Sequence, residues 1–281
     1  MSEFNRLFNS FFKTKTKNFY IIILFQLIAA LVITFFSYFN VANWQITRNT
    51  ENNGAGFVPE WLLIFGILAF LLISFILIYT PIHSERYNRS QTWRLAAISD
   101  GQFYLANVLS TFVVFIYFIV LEIIPAIVLA FLAYFIDKPF QQGFHELLQA
   151  IHPSFDTRVF FIVIGTIMLA ILSCFFLYFI ISFLNFASQA IIDFVPANVN
   201  GAITKILHIF IICILIWFFF EINSIFIGNV LFSLITKMDF RIDYYSELPF
   251  AVLANTISDA ILLFLNIFLI NHFFEASEQN K

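Results

Sequence analysis

The residues best suited to chemistry gather in one run: His83-Ser84-Glu85-Arg86-Tyr87-Asn88-Arg89-Ser90-Gln91-Thr92-Trp93-Arg94-Leu95-Ala96-Ala97-Ile98-Ser99-Asp100-Gly101. It holds three arginines, two acids and a tryptophan between two long apolar segments. From Ser84 to Ile98 the run is helix-compatible. Ser84 can cap it, Glu85 suits the positive end of the helix dipole, and Arg94 lies toward the negative end. Ser99-Asp100-Gly101 stops it, and Asp100 can cap the segment that follows. A helix of about four turns, ~22 Å long, would set Tyr87, Trp93, Leu95 and Ile98 in an apolar ridge beside Arg86, Arg89 and Arg94. The chemistry on offer is recognition. One reading is an amphipathic knob that the groove of a second protein can grip; the other is a solvated loop held near lipid headgroups by its arginines.

Other polar residues stand isolated in apolar surroundings. Glu122 is the one acid deep in a span, three residues before Pro125. An intramembrane acid is a functional-site candidate by default, and its plainer reading is a structural Glu bonded to Ser or Asn. Asn255, Asp259 and Asn266 fall roughly on one helical face. With Glu122 they form a candidate translocation path, although Asp259 is expected near the outer interface. His208 reads as a packing residue. Cys174 and Cys213 sit in apolar spans, with neither disulfide nor metal spacing. The histidines lack the His-Glu-x-x-His spacing of metalloproteases, and no Gly-x-Ser-x-Gly occurs, so no catalytic residues and no metal site are expected. No nucleic-acid partner is expected either.

The elements that carry these residues follow from composition. Apolar residues make up 61% and charged residues 11% of 281, against about 25% charged in soluble domains. The expectation is an all-α polytopic membrane protein forming a single transmembrane domain over 1–281. Phe4, Leu7, Phe8, Phe11 and Phe12 recur at helical spacing opposite Arg6, Lys13 and Lys15, which predicts an interfacial helix over 3–17. Six transmembrane helices are expected, at about 19–39, 61–82, 103–136, 159–186, 203–220 and 253–274. Pro125 would kink or divide the third. A coupling helix is placed at 84–98. Residues 137–158 read as a polar loop with a short amphipathic piece at Phe144, Leu147, Leu148 and Ile151. The segment 221–249 is apolar but broken by Asn223, Gly228 and Asn229, and reads as a re-entrant hairpin before the last span. On this layout nine Lys and Arg lie on the side of both termini and of the central stretch, against five opposite. Both termini are therefore expected in the cytoplasm.

The central stretch resembles the segment between spans two and three of the type-2 ABC permease family, the membrane subunits of ATP-driven exporters. Glu85-Arg86 matches the family's acid-basic pair, and Thr92 its threonine. Leu95-Ala96-Ala97-Ile98-Ser99 stands for the Leu-rich turn and break, without the usual proline. Ser90-Gln91 replaces a common glycine, and Asn107 is nearest to a basic residue often found at the start of span three. The layout of interfacial helix, six spans and re-entrant hairpin is also similar to that family. The resemblance implies a non-catalytic permease subunit of a bacterial plasma membrane, with Glu85, Arg86, Arg89, Thr92, Trp93 and Arg94 contacting an ABC ATPase dimer. It implies a second permease subunit, identical or different. The chain has no G-x-x-x-x-G-K-[ST] run, so ATP and Mg are expected on the partner ATPase and no cofactor on this chain.

Phe-rich walls suit a hydrophobic or amphipathic cargo such as a peptide. The alternative is a stand-alone membrane immunity or sensor protein that binds a toxin peptide without an ATPase. A channel or secondary carrier would be expected to show more intramembrane charge or inverted repeats.

Overall fold

The computed structural model describes residues 3–39, 56–88, 99–150, 157–192, 201–225 and 244–273. Every regular element among them is an α-helix: α1 (Glu3–Thr16), α2 (Phe19–Tyr38), α3 (Phe57–Asn88), α4 (Asp100–Ile136), α5 (Lys138–Ala150), α6 (Thr157–Ile192), α7 (Gly201–Ile225) and α8 (Tyr244–His272). Five helical stretches, in α1–α2, α3, α4, α6 and α8, are long and apolar enough to cross a bilayer. The chain is a multi-pass membrane protein by that measure. The expected sixth span falls on α7, whose apolar run Ile206–Phe219 is shorter than the ~20 residues a crossing needs.

Several boundaries differ from the sequence expectation. α3 does not end near Ile82 but runs to Asn88, so Ser84 lies inside its last turns and caps no new helix. Pro81 removes one backbone donor, yet the helix continues through it, and Ser84 Oγ bonds the Pro81 carbonyl at 2.8 Å. The rest of the expected coupling helix, 89–98, lies outside the described residues. Ser99 rather than Asp100 starts α4: its carbonyl accepts from the Phe103 N–H at 2.9 Å. Pro125 does not divide α4, which is one helix of 37 residues. The loop expected after it is largely the helix α5. Of the expected hairpin at 221–249, residues 226–243 lie outside the described residues, and its two ends belong to α7 and α8.

The residues sort into two compact units. One comprises Met1–Asn9, Pro81–Phe112 and Phe155–Lys281; the other comprises Ser10–Thr80 and Val113–Ser154. In the second unit α2 runs antiparallel to α3, as the contacts Tyr38–Phe57 and Ser37–Glu60 show. It runs parallel to α4 through Phe19–Phe118 and Gln26–Glu122. Ala30, Ile64, Phe65 and Leu129 form the core between them. Asp137 joins two helix starts: Oδ1 caps α5 at Phe140 N, and Oδ2 accepts the Gly56 N–H, both at 2.8 Å. A Cβ on Gly56 would fall 2.0 Å from that oxygen, so the close approach depends on glycine.

In the first unit α7 runs back along α6, with Ser188 against His208 and Phe176 against Phe219. α8 lies parallel to α6, with Leu248 beside Gly165 and Asn266 beside Phe179. Tyr104, Tyr178, Phe186, Leu262 and Ile270 are buried where α4, α6 and α8 meet. At Gly165 a Cβ would sit 1.8 Å from Leu248 Cδ2. Gly165→Leu is therefore expected to cost about 1–3 kcal/mol through overpacking, read as a lower unfolding temperature in detergent. Leu248→Ala in the same background should recover most of the loss; absence of recovery would refute the parallel register.

Candidate functional site

A buried polar cluster occupies the first unit, built from the end of α3 upward. Ser84, Glu85 and Asn88 stand at i, i+1 and i+4, so one helical face carries all three inward, and each is buried. Glu85 Oε1 accepts from Ser182 Oγ of α6. Glu85 Oε2 accepts from Asn185 Nδ2 at 3.0 Å and from Asn88 Nδ2 at 3.1 Å. Ser182 and Asn185 are three apart, one turn of α6, which is why both reach the same carboxylate.

Asn107 of α4 closes the other side. Its Nδ2 donates to the Ser84 carbonyl at 3.0 Å and to Asn88 Oδ1 at 2.8 Å. Its own carbonyl accepts the hydroxyls of Ser110 and Thr111 at 2.8 Å each. The hydroxyls of Tyr178 and Ser84 lie 3.2 Å apart. On α8, Asn266 Nδ2 donates to Tyr104 Oη and to the Phe179 carbonyl, both at 2.9 Å. Asn88 thus donates to the carboxylate and accepts from Asn107, and a chain of side-chain bonds ties α3, α4 and α6.

The placement of the expected site residues is mixed. Glu85 is 6% exposed and its carboxylate bonds inside the unit, so it does not stand on an outer knob. Arg86, the next residue, is exposed on the opposite side of the helix. Arg89, Thr92, Trp93 and Arg94 lie outside the described residues. Asn266 is fully buried and joins the cluster just described. Asp259 is buried too, not at an outer rim, because the parallel register sets it beside the middle of α6; neither of its oxygens has a hydrogen-bond partner. Asn255 is half-buried and bonds its own helix at the Ala251 carbonyl. Glu122 belongs to the second unit, where Gln26 Nε2 donates to its Oε2 at 3.0 Å. The Oε1 atoms of both residues are buried without hydrogen-bond partners.

The sequence reading missed Ser84 as a buried group, and with it Asn88, Asn107, Ser182, Asn185, Tyr104, Tyr178 and Gln26. Their signal was present: each is a polar or hydroxylated side chain within a long apolar run, where such groups need a partner. No group of three or more His, Cys, Asp or Glu among the described residues could hold a metal ion. The arrangement offers hydrogen-bonded positioning of helix ends, with amides and hydroxyls as donors.

Two stability tests follow from this bonding. Glu85→Ala leaves two buried donors, on Ser182 and Asn88, and a half-buried one on Asn185 without their acceptor, at about 1–3 kcal/mol for each buried one. Its unfolding temperature in detergent should fall sharply, whereas Arg86→Ala should leave it unchanged. Replacing Gln26 and Glu122 together by leucine removes two orphaned oxygens along with the bond, so the double variant should match or exceed the parent while Gln26→Leu alone falls below it.

Neither a protein-family model nor a curated protein nor a solved structure matches the chain.

Proposed function

We propose that the chain is the membrane permease subunit of an ABC exporter, moving a hydrophobic or amphipathic cargo such as a peptide. The observation that carries this reading is the pairing of neighbours at the end of α3. Glu85 is anchored inward by donors on α3 and α6, and Arg86 is exposed in the last turn of α3, just before the 89–98 segment. Force applied to that segment by a partner would be transmitted to α3, α4 and α6 together, since the network bonds all three. Arg86, Arg89, Thr92, Trp93 and Arg94 are the residues that would meet an ATPase dimer, with Glu85 as their buried anchor. ATP and Mg would bind that partner. A second permease subunit, identical or different, would complete the path, to which Glu122, Asn255, Asp259 and Asn266 are assigned.

Two helix registers support a sixth crossing. Because α6 and α8 run parallel, the chain must travel back between them, and α7 lies antiparallel along α6. Its 25 residues amount to ~37 Å, the length of a ~30 Å hydrocarbon core and more, with the apolar run Ile206–Phe219 occupying the middle. With six crossings both termini would share one side, and the excess of Lys and Arg there assigns it to the cytoplasm of a bacterial cell, with α1 lying at the interface and a re-entrant segment before α8.

The test begins with the tagged full-length chain in mild detergent. A Walker-motif ATPase should copurify, and its hydrolysis should respond to cargo. Arg86→Glu, Arg89→Glu and Arg94→Glu should each weaken that response without lowering the unfolding temperature. Unchanged coupling in all three would sink the exporter reading, as would protection against a toxic peptide that persists in cells without the ATPase. A carboxy-terminal alkaline phosphatase fusion should be inactive; activity would put the carboxy terminus outside and overturn the cytoplasmic assignment.

A further inference from the structure

The second unit contains an apolar cleft that the exporter reading does not use. It lies between the end of α4 and the helix α5, has a volume of about 350 Å³, and is lined by Ile127, Ala130, Phe131, Tyr134, Phe140 and Phe144. Ile127, Phe131 and Tyr134 make one wall, a ridge at i, i+4 and i+7; Phe140 and Phe144, at i and i+4, make the other. The only polar atom these side chains carry is the Tyr134 hydroxyl, and it lies 3.2 Å from His145 Nε2. α5 is fixed over α4 at its start by the Asp137 cap and further along by the edge-on contact of Tyr134 with Phe144.

The surroundings identify the occupant. Ile127, Phe131, Phe135 and Ile136 are 50%, 60%, 78% and 67% exposed, so the outer face of α4 is bare hydrocarbon up to its last residue. On a chain with five stretches suited to crossing a bilayer, that face meets lipid tails. Phe144, Leu147 and Leu148, at i, i+3 and i+4, continue it along α5 at 43%, 54% and 52% exposure. His145, Glu146 and Gln149 fill the other side of the helix. A helix so divided lies in the interface plane with its apolar side toward the tails. The cleft therefore opens onto the tails themselves. Apart from the Tyr134 hydroxyl its walls offer nothing to a polar group, and its volume is at the small end for ligand pockets.

We infer that this cleft is a phospholipid site, holding one acyl chain between α4 and α5 with the headgroup at the level of Tyr134 and His145. The inference rests on the membrane-spanning character of the chain and is independent of any ATPase. It makes α5 a lipid-clasping helix, where the sequence alone suggested a loop.

The full-length protein can be placed in phosphatidylethanolamine–phosphatidylglycerol vesicles carrying a trace of phosphatidylglycerol with a diazirine on one chain. Irradiation and peptide mass mapping should find adducts of intact-phospholipid mass on Phe131 or Phe144 several-fold above those on Phe135 and Phe161, which are at least as exposed. Ala130→Phe, which fills the cleft, should abolish the excess and leave the Phe161 adducts unchanged; loss of both would report misfolding, and Ala130→Leu would then replace it. Equal labelling at all four positions would mean an ordinary lipid annulus and overturn the proposal. Adducts of free fatty-acid mass only, or crosslinks to a second copy of the chain, would overturn it as well.

Discussion

In the first unit one carboxylate draws the helix ends together. Glu85 accepts from a serine and an asparagine of α6 and from an asparagine of its own helix. Between helices in lipid the hydrophobic effect supplies little, because a tail is as apolar as leucine; close packing and interhelical hydrogen bonds do the work. A carboxylate removed from water without donors is costly, and donors removed without an acceptor are costly too. Each side of the Glu85 cluster therefore requires the other, which fixes α3 against α6. Asn107 extends the lock to α4, since one amide reaches both the Ser84 carbonyl and the Asn88 side chain.

That lock has a geometric consequence for function. The inward face spanned by Ser84, Glu85 and Asn88 leaves Arg86 on the far side of the helix, where it is exposed. α3 ends two residues later at Asn88, itself part of the network. An outward charge on a firmly held helix end can transmit force; the same charge on a loose loop would move alone. Asn266 makes a comparable tie at α8, bonding the main chain of α6 and the hydroxyl of Tyr104 in α4 with a single amide. It leaves its own Oδ1 without a hydrogen-bond partner.

The second unit is held differently. Its contacts are mainly aliphatic and aromatic: Ala30 among Ile64, Phe65 and Leu129, Phe19 edge-on to Phe118, and Phe12 to Tyr117. Gln26–Glu122 is its counterpart to the Glu85 cluster, but only one bond joins the pair and two oxygens remain unpaired. Asp259 in the first unit is more exposed to cost, with both oxygens unpaired. Buried acids left short of partners are the places in a membrane bundle where function is most reasonably sought. Glu85, by contrast, is well satisfied and is better understood as structure that function leans on.

Composition and hydropathy were sufficient to read a polytopic helical membrane protein, the amphipathic first helix and the approximate centres of the spans, because burial in lipid demands long uninterrupted apolar helices with internally bonded backbones. Glu122, read as deep in a span, and Asn266 are buried as a polar side chain at that depth requires, whereas Asp259, expected near the outer interface, is buried as well, against that reading. The ends of α2 and the last residue of α4 fall where the apolar runs put them, but the end of α3 does not. The second span was expected to end near Ile82, whereas α3 continues to Asn88, where Glu85 and Asn88 are bonded by Ser182, Asn185 and Asn107. Nor could pattern alone separate Glu85 from Arg86, adjacent charges in one polar run. Which of them turns inward depends on donors about a hundred positions away in α6, and the rotation of one helix against another exists only once both are packed.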